Sequence, residues 1–310
     1  MDHHLGERVD RAESFIAMIR PGCHSIALMN DHSAILIDLA LAEDIGSGDV
    51  TSLYFIPEGC RASAFVAARK DGVVSGVGLA ARVFSTVDPS MAVEILISDG
   101  SHVAAGALLI RVEGSARSIL TAERTALNFL QHLSGVSTLT ARFVEQVNGT
   151  RAQILDTRKT TPGYRLLEKQ AVIDGGGTNH RLGLYDRAMV KDNHLVAETG
   201  TEAIQASINQ LKSDKPRVEV ELEADSLEQV RKFLTMDGVD FILLDNMSLE
   251  ELRAAVEMRG ERRKPLLEAS GGVTFETLRE IAETGVDFIS VGALTHSAPA
   301  LDFGLDFETP

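Results

Sequence analysis

From residue 150 onward, short apolar β-rich runs alternate with amphipathic helical segments, and this alternation constrains the fold more than any other feature of the chain. The runs are Gln153–Leu155, Ala188–Val190, Val218–Leu222, Phe241–Leu244, Pro265–Glu268 and Phe288–Val291. The last four recur at about 23–25 residues, the length of a compact βα unit. Between them lie SLEQVRKFLTMDG, SLEELRAAVEMRG and TFETLREIAETG. Each opens on Ser or Thr, places Glu some three residues on and ends at Gly, which is helix N-cap and C-cap chemistry. Continuous apolar strands alternating with helices predict parallel pairing, covered on both faces. Six such strands with no Gly-x-Gly-x-x-Gly turn favour a βα barrel over a dinucleotide-binding sheet.

Polar residues follow the strands in phase. Asp156, Arg158 and Lys159 come after the first run, and Lys191, Asp192 and Asn193 after the second. Glu219 and Glu221 lie in the third, and Asp245 and Asn246 follow the fourth. The fifth ends in Ser270, Gly271 and Gly272, the sixth in Gly292. One Asp or Asn after a strand is usually a turn former. Six polar strand ends in succession instead predict a site at the carboxyl mouth of a barrel. The glycine-rich ends of the last two strands suit a phosphate held by backbone N–H groups. Glu221 and Asp245 suit Mg²⁺, directly or through water, or ribose hydroxyls.

Charge narrows the ligand. The whole chain carries −15, yet residues 151–194 hold eight Lys/Arg against five acids, +3 locally against −18 for the remainder. So acidic a chain is a poor partner for nucleic acid, whose phosphates ask for net positive surface. A cationic island within it points to a small polyanion held at a few points. Two cysteines, Cys23 and Cys60, are too few for a disulfide framework and predict a reducing, cytoplasmic setting. The charged first twenty residues do not read as a signal peptide, and no apolar run is long enough to span a bilayer. The His3–His4 pair reads as inert.

The N-terminal half reads differently. Residues 1–45 read as helical, and Ala62–Val112 as strands around a short helix, GLAARVFSTVD, with Asp71–Gly72 as a hairpin turn. A long helix follows over Ala116–Leu133, with Ile119, Leu120, Ala126, Leu127, Leu130 and Leu133 as its stripe and Arg124 off it. The expected division is an N-terminal α/β domain over residues 1–136, with the long helix as link, and a catalytic βα barrel over 137–310 whose chain end returns to the first domain. Arg165 and Lys169, on a helix after Pro162, read as solvated, and Asp156 as a support for Arg158.

LAEDIGSGDVTS, ERTALNFLQHLSGVSTLT, DTRKTTPGYRLLEKQAV, GGGTNHRLGLYD, VKDNH, VEVELE, LLDNM, EASGGV and SVGALTHSAPALDFGLDF together resemble the quinolinate phosphoribosyltransferase family, also called nicotinate-nucleotide pyrophosphorylases (carboxylating), over nearly the whole length. The resemblance implies an N-terminal α/β sandwich domain and an incomplete βα barrel of the type II phosphoribosyltransferase kind. It implies transfer of phosphoribosyl from phosphoribosyl pyrophosphate to quinolinate, with Mg²⁺ and loss of CO₂, giving nicotinate mononucleotide for NAD biosynthesis. It also implies a homodimer with a shared site, assembly into hexamers being left open. Arg158, His180 and Arg181 resemble the groups that hold the two carboxylates, and Arg124 the arginine given by the partner subunit. Lys159 and Lys191 resemble the lysines on substrate and diphosphate oxygens, and Glu221 and Asp245 the acids near the ribose and its metal. Ser270, Gly271, Gly272 and Gly292 resemble the 5′-phosphate cradle, with His296 close by. A related pyrophosphorylase acting on another anionic heterocycle is the alternative. A sugar-phosphate binding protein without activity fits less well, because both acids are present.

Overall fold

The structure, a computed structural model, describes residues 26–191 and 200–308. The helix expected over residues 1–25, the His3–His4 pair, Cys23, and Asp192–Asn193 lie outside the described residues. The chain divides into two compact units, residues 1–133 with 301–310, and residues 134–300. The division thus falls at Leu133/Ser134 and again at Ala300/Leu301, rather than at 136/137.

In the first unit, α1 (Ile26–Ile45) and α2 (Val50–Phe55) precede a four-stranded antiparallel sheet. The sheet is ordered β12-β1-β5-β3, from β1 (Arg61–Ala68), β3 (Ala92–Ile95), β5 (Leu108–Ser115) and β12 (Phe303–Phe307). The chain end therefore supplies the edge strand beside β1, with Ala64 opposite Phe307. Asp71–Gly72 makes no hairpin: β2 (Gly72–Val73) pairs with β4 (His102–Val103), while β1 pairs with β5 and β12. Asp71 Oδ1 instead accepts the Ala105 N–H at 2.8 Å, tying two loops together. Helix α3 (Val77–Val87) buries Val77, Leu79, Ala80, Val83 and Phe84. Helix α4 (Ala116–Gln146) is longer than its apolar stripe foretells; within this unit it buries Ile119, Ala126, Leu127, Leu130 and Leu133. Leu120 is half-buried and Arg124 is exposed on this helix.

The second unit is the barrel. Its strands β6 (Gln153–Leu155), β7 (Arg187–Val190), β8 (Glu219–Ala224), β9 (Phe241–Asp245), β10 (Leu266–Ser270) and β11 (Phe288–Ser290) form one sheet in the order β6-β11-β10-β9-β8-β7. Every neighbouring pair is parallel. Sequential strands are neighbours and the first pairs with the last, which is barrel order; the sheet stays open between β6 and β7. The helices are α5 (Arg165–Asp174), α6 (Thr201–Asp214), α7 (Leu227–Phe233), α8 (Leu249–Arg259), α9 (Leu278–Ala282) and α10 (Ala293–His296). Strand interiors such as Ile154, Val220, Leu222, Ile242, Leu244, Leu267 and Ile289 are buried, as strands covered on both faces require.

Of the three expected caps, Ser248 makes the full box: its Oγ accepts from Glu251 N at 3.3 Å, while Glu251 Oε2 accepts from Ser248 N at 2.9 Å. Ser226 caps by backbone alone. Thr274 exchanges bonds with Thr277, and α9 begins one residue later.

Two acids, Asp240 half-buried and Asp287 buried, pin the amino ends of the strands. Asp240 accepts from Lys212 and Lys264, each at 2.6 Å, and from Val220 N at 3.0 Å. Burial works against its charge, but the two lysines outweigh it and hold its pKa below the usual value. Asp287 binds Arg151, Arg259 and Leu267 N. Such pins at the amino face serve stability, leaving the carboxyl face for chemistry.

Candidate active site

At the carboxyl ends of the strands lies a cleft of about 720 Å³, within the range of small-molecule sites. Each strand delivers residues to it. β6 leads to Thr157, Arg158 and Lys159; β7 to Lys191; β8 ends near Glu223; β9 gives Asp245 and Asn246; β10 gives Ser270, Gly271 and Gly272; β11 gives Ser290 and Gly292. The in-phase polar strand ends meet because parallel register aligns them, with Asp245 opposite Ser270 and Leu155 opposite Ser290. His180 and Arg181 reach the same cleft from the segment that crosses the open side of the barrel.

One wall is cationic. Arg158 Nε is buried without a hydrogen-bond partner, so its fork is unspent. Arg165 is not solvated as its helix position foretells. It donates to Thr160 Oγ1 at 3.0 Å, Leu182 O at 3.0 Å and Arg158 O at 3.3 Å, bracing the Arg158 loop. Arg181 is half-buried and donates to Arg187 O at 3.3 Å. Burial, then the neighbouring Arg158 charge, lower its pKa, as in a crowd of cations short of anions. Lys159 is exposed, and Lys191 Nζ is paired with Glu223.

His180 is buried, with Glu221 Oε2 at 3.2 Å and Glu268 Oε2 at 3.4 Å from its Nε2. Burial opposes a charge on the ring, but the two carboxylates outweigh it and raise its pKa to about 9. Its Nε2–H faces the carboxylates, and Arg181 N lies 2.7 Å from Nδ1, which accepts that N–H only while the ring is neutral. Burial and the charge of Glu221 push Glu268 up, whereas His180 and Arg187 outweigh burial to hold Glu221 down. Ser290 Oγ donates to Glu268 Oε1. The imidazole and Glu268 therefore both line the cleft at this point, while Glu221 stays behind them.

This arrangement corrects the reading of Glu221. It is fully buried and engaged with His180 and Arg187, and does not reach the lining. Glu223, two residues nearer the mouth on the same strand face, does reach it. The alternation in VEVELE places both on one face; depth along the strand was the missed signal. Asp156 is corrected too: its Oδ1 accepts His180 N at 2.8 Å, so it holds the His180 backbone rather than Arg158. Its partner Lys169, expected at the surface, is 1% exposed. Burial raises the pKa of Asp156 and lowers that of Lys169, and their pairing opposes both shifts.

Glycines line the neighbouring strand ends. Gly271 has φ +90°, and a Cβ there would lie 2.3 Å from Asn246 Oδ1. Asn246 itself takes φ 54°, a left-handed turn that asparagine tolerates. At Gly292 a Cβ would crowd Lys159 Cδ at 3.1 Å and His296 Nε2 at 3.3 Å. His296 is exposed, and its Nδ1 lies 2.7 Å from Ser297 Oγ.

Comparison with known proteins agrees with these features. The description "Quinolinate phosphoribosyl transferase, C-terminal domain" matches residues 136–306, and its N-terminal counterpart matches 49–134. The chain belongs to the quinolinate phosphoribosyltransferase family. It is 43% identical over 290 residues to the mitochondrial quinolinate phosphoribosyltransferase [decarboxylating] 2 of Nicotiana glauca, covering 88% of this chain and 82% of that protein. It is 42% identical to the nicotinate-nucleotide pyrophosphorylase [carboxylating] of Mycobacterium leprae, covering 86% and 94%. The solved structure of the nicotinate-nucleotide pyrophosphorylase of Francisella tularensis superimposes with a TM-score of 0.83 at 38% identity, over 90% and 97% of the two chains. The α/β fold with an incomplete barrel is thus the family's. Among the described residues no helix is long and apolar enough to cross a membrane.

Proposed function

We propose that this family member transfers phosphoribosyl from phosphoribosyl pyrophosphate to quinolinate with loss of CO₂, giving nicotinate mononucleotide and diphosphate. The observation that carries the reading is one cleft lined by both cations and glycines: Arg158, Arg181 and His180 suit a planar dicarboxylate, and Ser270–Gly272 with Gly292 suit a phosphate. Guanidinium forks accept carboxylates side-on, which lysine cannot do. Lys159 and Lys191 neutralise carboxylate and diphosphate oxygens. The pyridine nitrogen is the nucleophile, so no side-chain base is needed. As the C1–diphosphate bond breaks, positive charge grows on the sugar, and Asp245 and Glu223 supply nearby negative charge. Departing CO₂ then leaves its electron pair on ring carbon C2, where the adjacent cationic nitrogen stabilises the carbanion until a proton from water takes the place of the carboxylate. Positioning is the protein's main contribution at that step.

Mg²⁺ fits the donors present. Asp245 and Glu223 offer hard oxygen ligands at the mouth, whereas Glu221 is enclosed with His180. When bound, the ion neutralises the diphosphate leaving group. The assay that tests the function incubates the protein with phosphoribosyl pyrophosphate, Mg²⁺ and either quinolinate or nicotinate. Mononucleotide and CO₂ from quinolinate alone support it; turnover of another anionic ring but not quinolinate overturns it.

The working enzyme is a homodimer in which Arg124 completes the partner's site. Val50, Leu53, Tyr54 and Phe55 support this, being 66, 52, 83 and 80% exposed on one short helix, a larger apolar display than a monomer usually carries. Mixing Arg124→Ala and Lys159→Ala chains regains activity that neither has alone; mixed dimers without activity refute the shared site. The exposed, unpaired Cys60 suits a reducing cytoplasm.

A further inference from the structure

Lys169 and Asp156 form a buried ion pair, 1% and 0% exposed, that the chemistry above does not use. Their other bonds converge on one short stretch. Lys169 Nζ donates to His180 O at 3.0 Å, and Asp156 Oδ1 accepts His180 N at 2.8 Å. The Asn179 amide nitrogen, in the orientation that meets acceptors, donates to Asp156 Oδ2 at 2.7 Å and to Lys169 O at 3.0 Å. Asp156 N donates to Thr178 O at 3.2 Å. Both faces of the 179–180 backbone are therefore held by two side chains.

The location gives this clamp its meaning. The barrel is open between β6 and β7, and residues 156–186 cross that opening. Among the described residues, no sheet ladder fixes the segment beyond the isolated Leu155–Thr178 bridge. Yet it carries His180 and Arg181, whose geometry decides how an anion is met. A buried ion pair adds little net stability over a packed apolar pair. What it adds here is direction: a charge at each end of the His180 peptide.

We propose that Lys169 and Asp156 are positioning residues for the dicarboxylate end of the cleft, holding His180 and Arg181 in one orientation before substrate arrives. This rests on reading that end as the quinolinate subsite. Neither residue contacts the phosphate cradle, so the effect is confined to one substrate.

The test is steady-state kinetics of full-length Lys169→Met and Asp156→Asn, each substrate varied in turn, with thermal melting alongside. The expected result is a quinolinate KM raised between about 10- and 100-fold, with the phosphoribosyl pyrophosphate KM within about twofold of wild type. A lower melting temperature with both KM values unchanged would mean a structural pair only and overturns the proposal. An equal rise in both KM values overturns it as well. Should Lys169→Met fail to fold, Asp156→Asn, which keeps its size and an acceptor oxygen, carries the same comparison. Failure of the underlying reading shows separately, as wild-type protein that does not turn over quinolinate.

Discussion

Replacing Arg158 by Lys tests the side-on fork. Arg158 Nε is buried with no hydrogen-bond partner, so the substitution removes no protein–protein bond at that atom. Folding stability is therefore expected to change by less than about 1 kcal/mol. Binding is different. A guanidinium presents two parallel N–H groups to a carboxylate, and an ammonium on a shorter reach presents one. Losing one charge-assisted bond costs about 1.5–3 kcal/mol. That corresponds to a fall of about 10- to 150-fold in kcat/KM for quinolinate. The assay follows mononucleotide formation with quinolinate varied at saturating phosphoribosyl pyrophosphate, then the reverse. The reasoning predicts that quinolinate bears the loss. A variant within about threefold of wild type for quinolinate, or one whose loss falls on phosphoribosyl pyrophosphate, refutes it.

Two further expectations follow from the geometry. Gly271→Ala forces a Cβ to 2.3 Å from Asn246 Oδ1 at φ +90°, so it should cost about 1–3 kcal/mol of stability and raise the phosphoribosyl pyrophosphate KM; an unshifted melting curve with normal KM contradicts the cradle. His180 has a pKa raised to about 9, above the roughly 6.5 of an unfolded histidine, so its stabilisation is complete below about pH 6.5 and is lost as pH rises through about 9. The melting gap between wild type and His180→Gln should therefore shrink from about pH 6 to about pH 9.5; a gap that widens sinks the charge assignment.

Much of the barrel was legible because its strands are short apolar runs whose polar ends fall in phase, and parallel register then brings those ends together. Periodicity could not tell how deep a residue lies along a strand. Glu221 and Glu223 share a face, but only the latter reaches the cleft. Nor could it tell a solvated lysine from a buried one: Lys169 sits on a helix like any surface lysine, and only the opening beside β6 gives it an interior partner. The same limit applies to Asp71–Gly72. Its composition is that of a hairpin, but β1 finds its partners in β5 and in the distant β12, and no local rule anticipates a strand drawn from the chain end.

The most direct test of the account is a crystal structure of the protein with quinolinate bound. The account predicts the ring in the barrel-mouth cleft, with its two carboxylates within hydrogen-bond distance of the Arg158 and Arg181 guanidinium groups. Quinolinate bound elsewhere, or held in the cleft with neither arginine on a carboxylate, would contradict it.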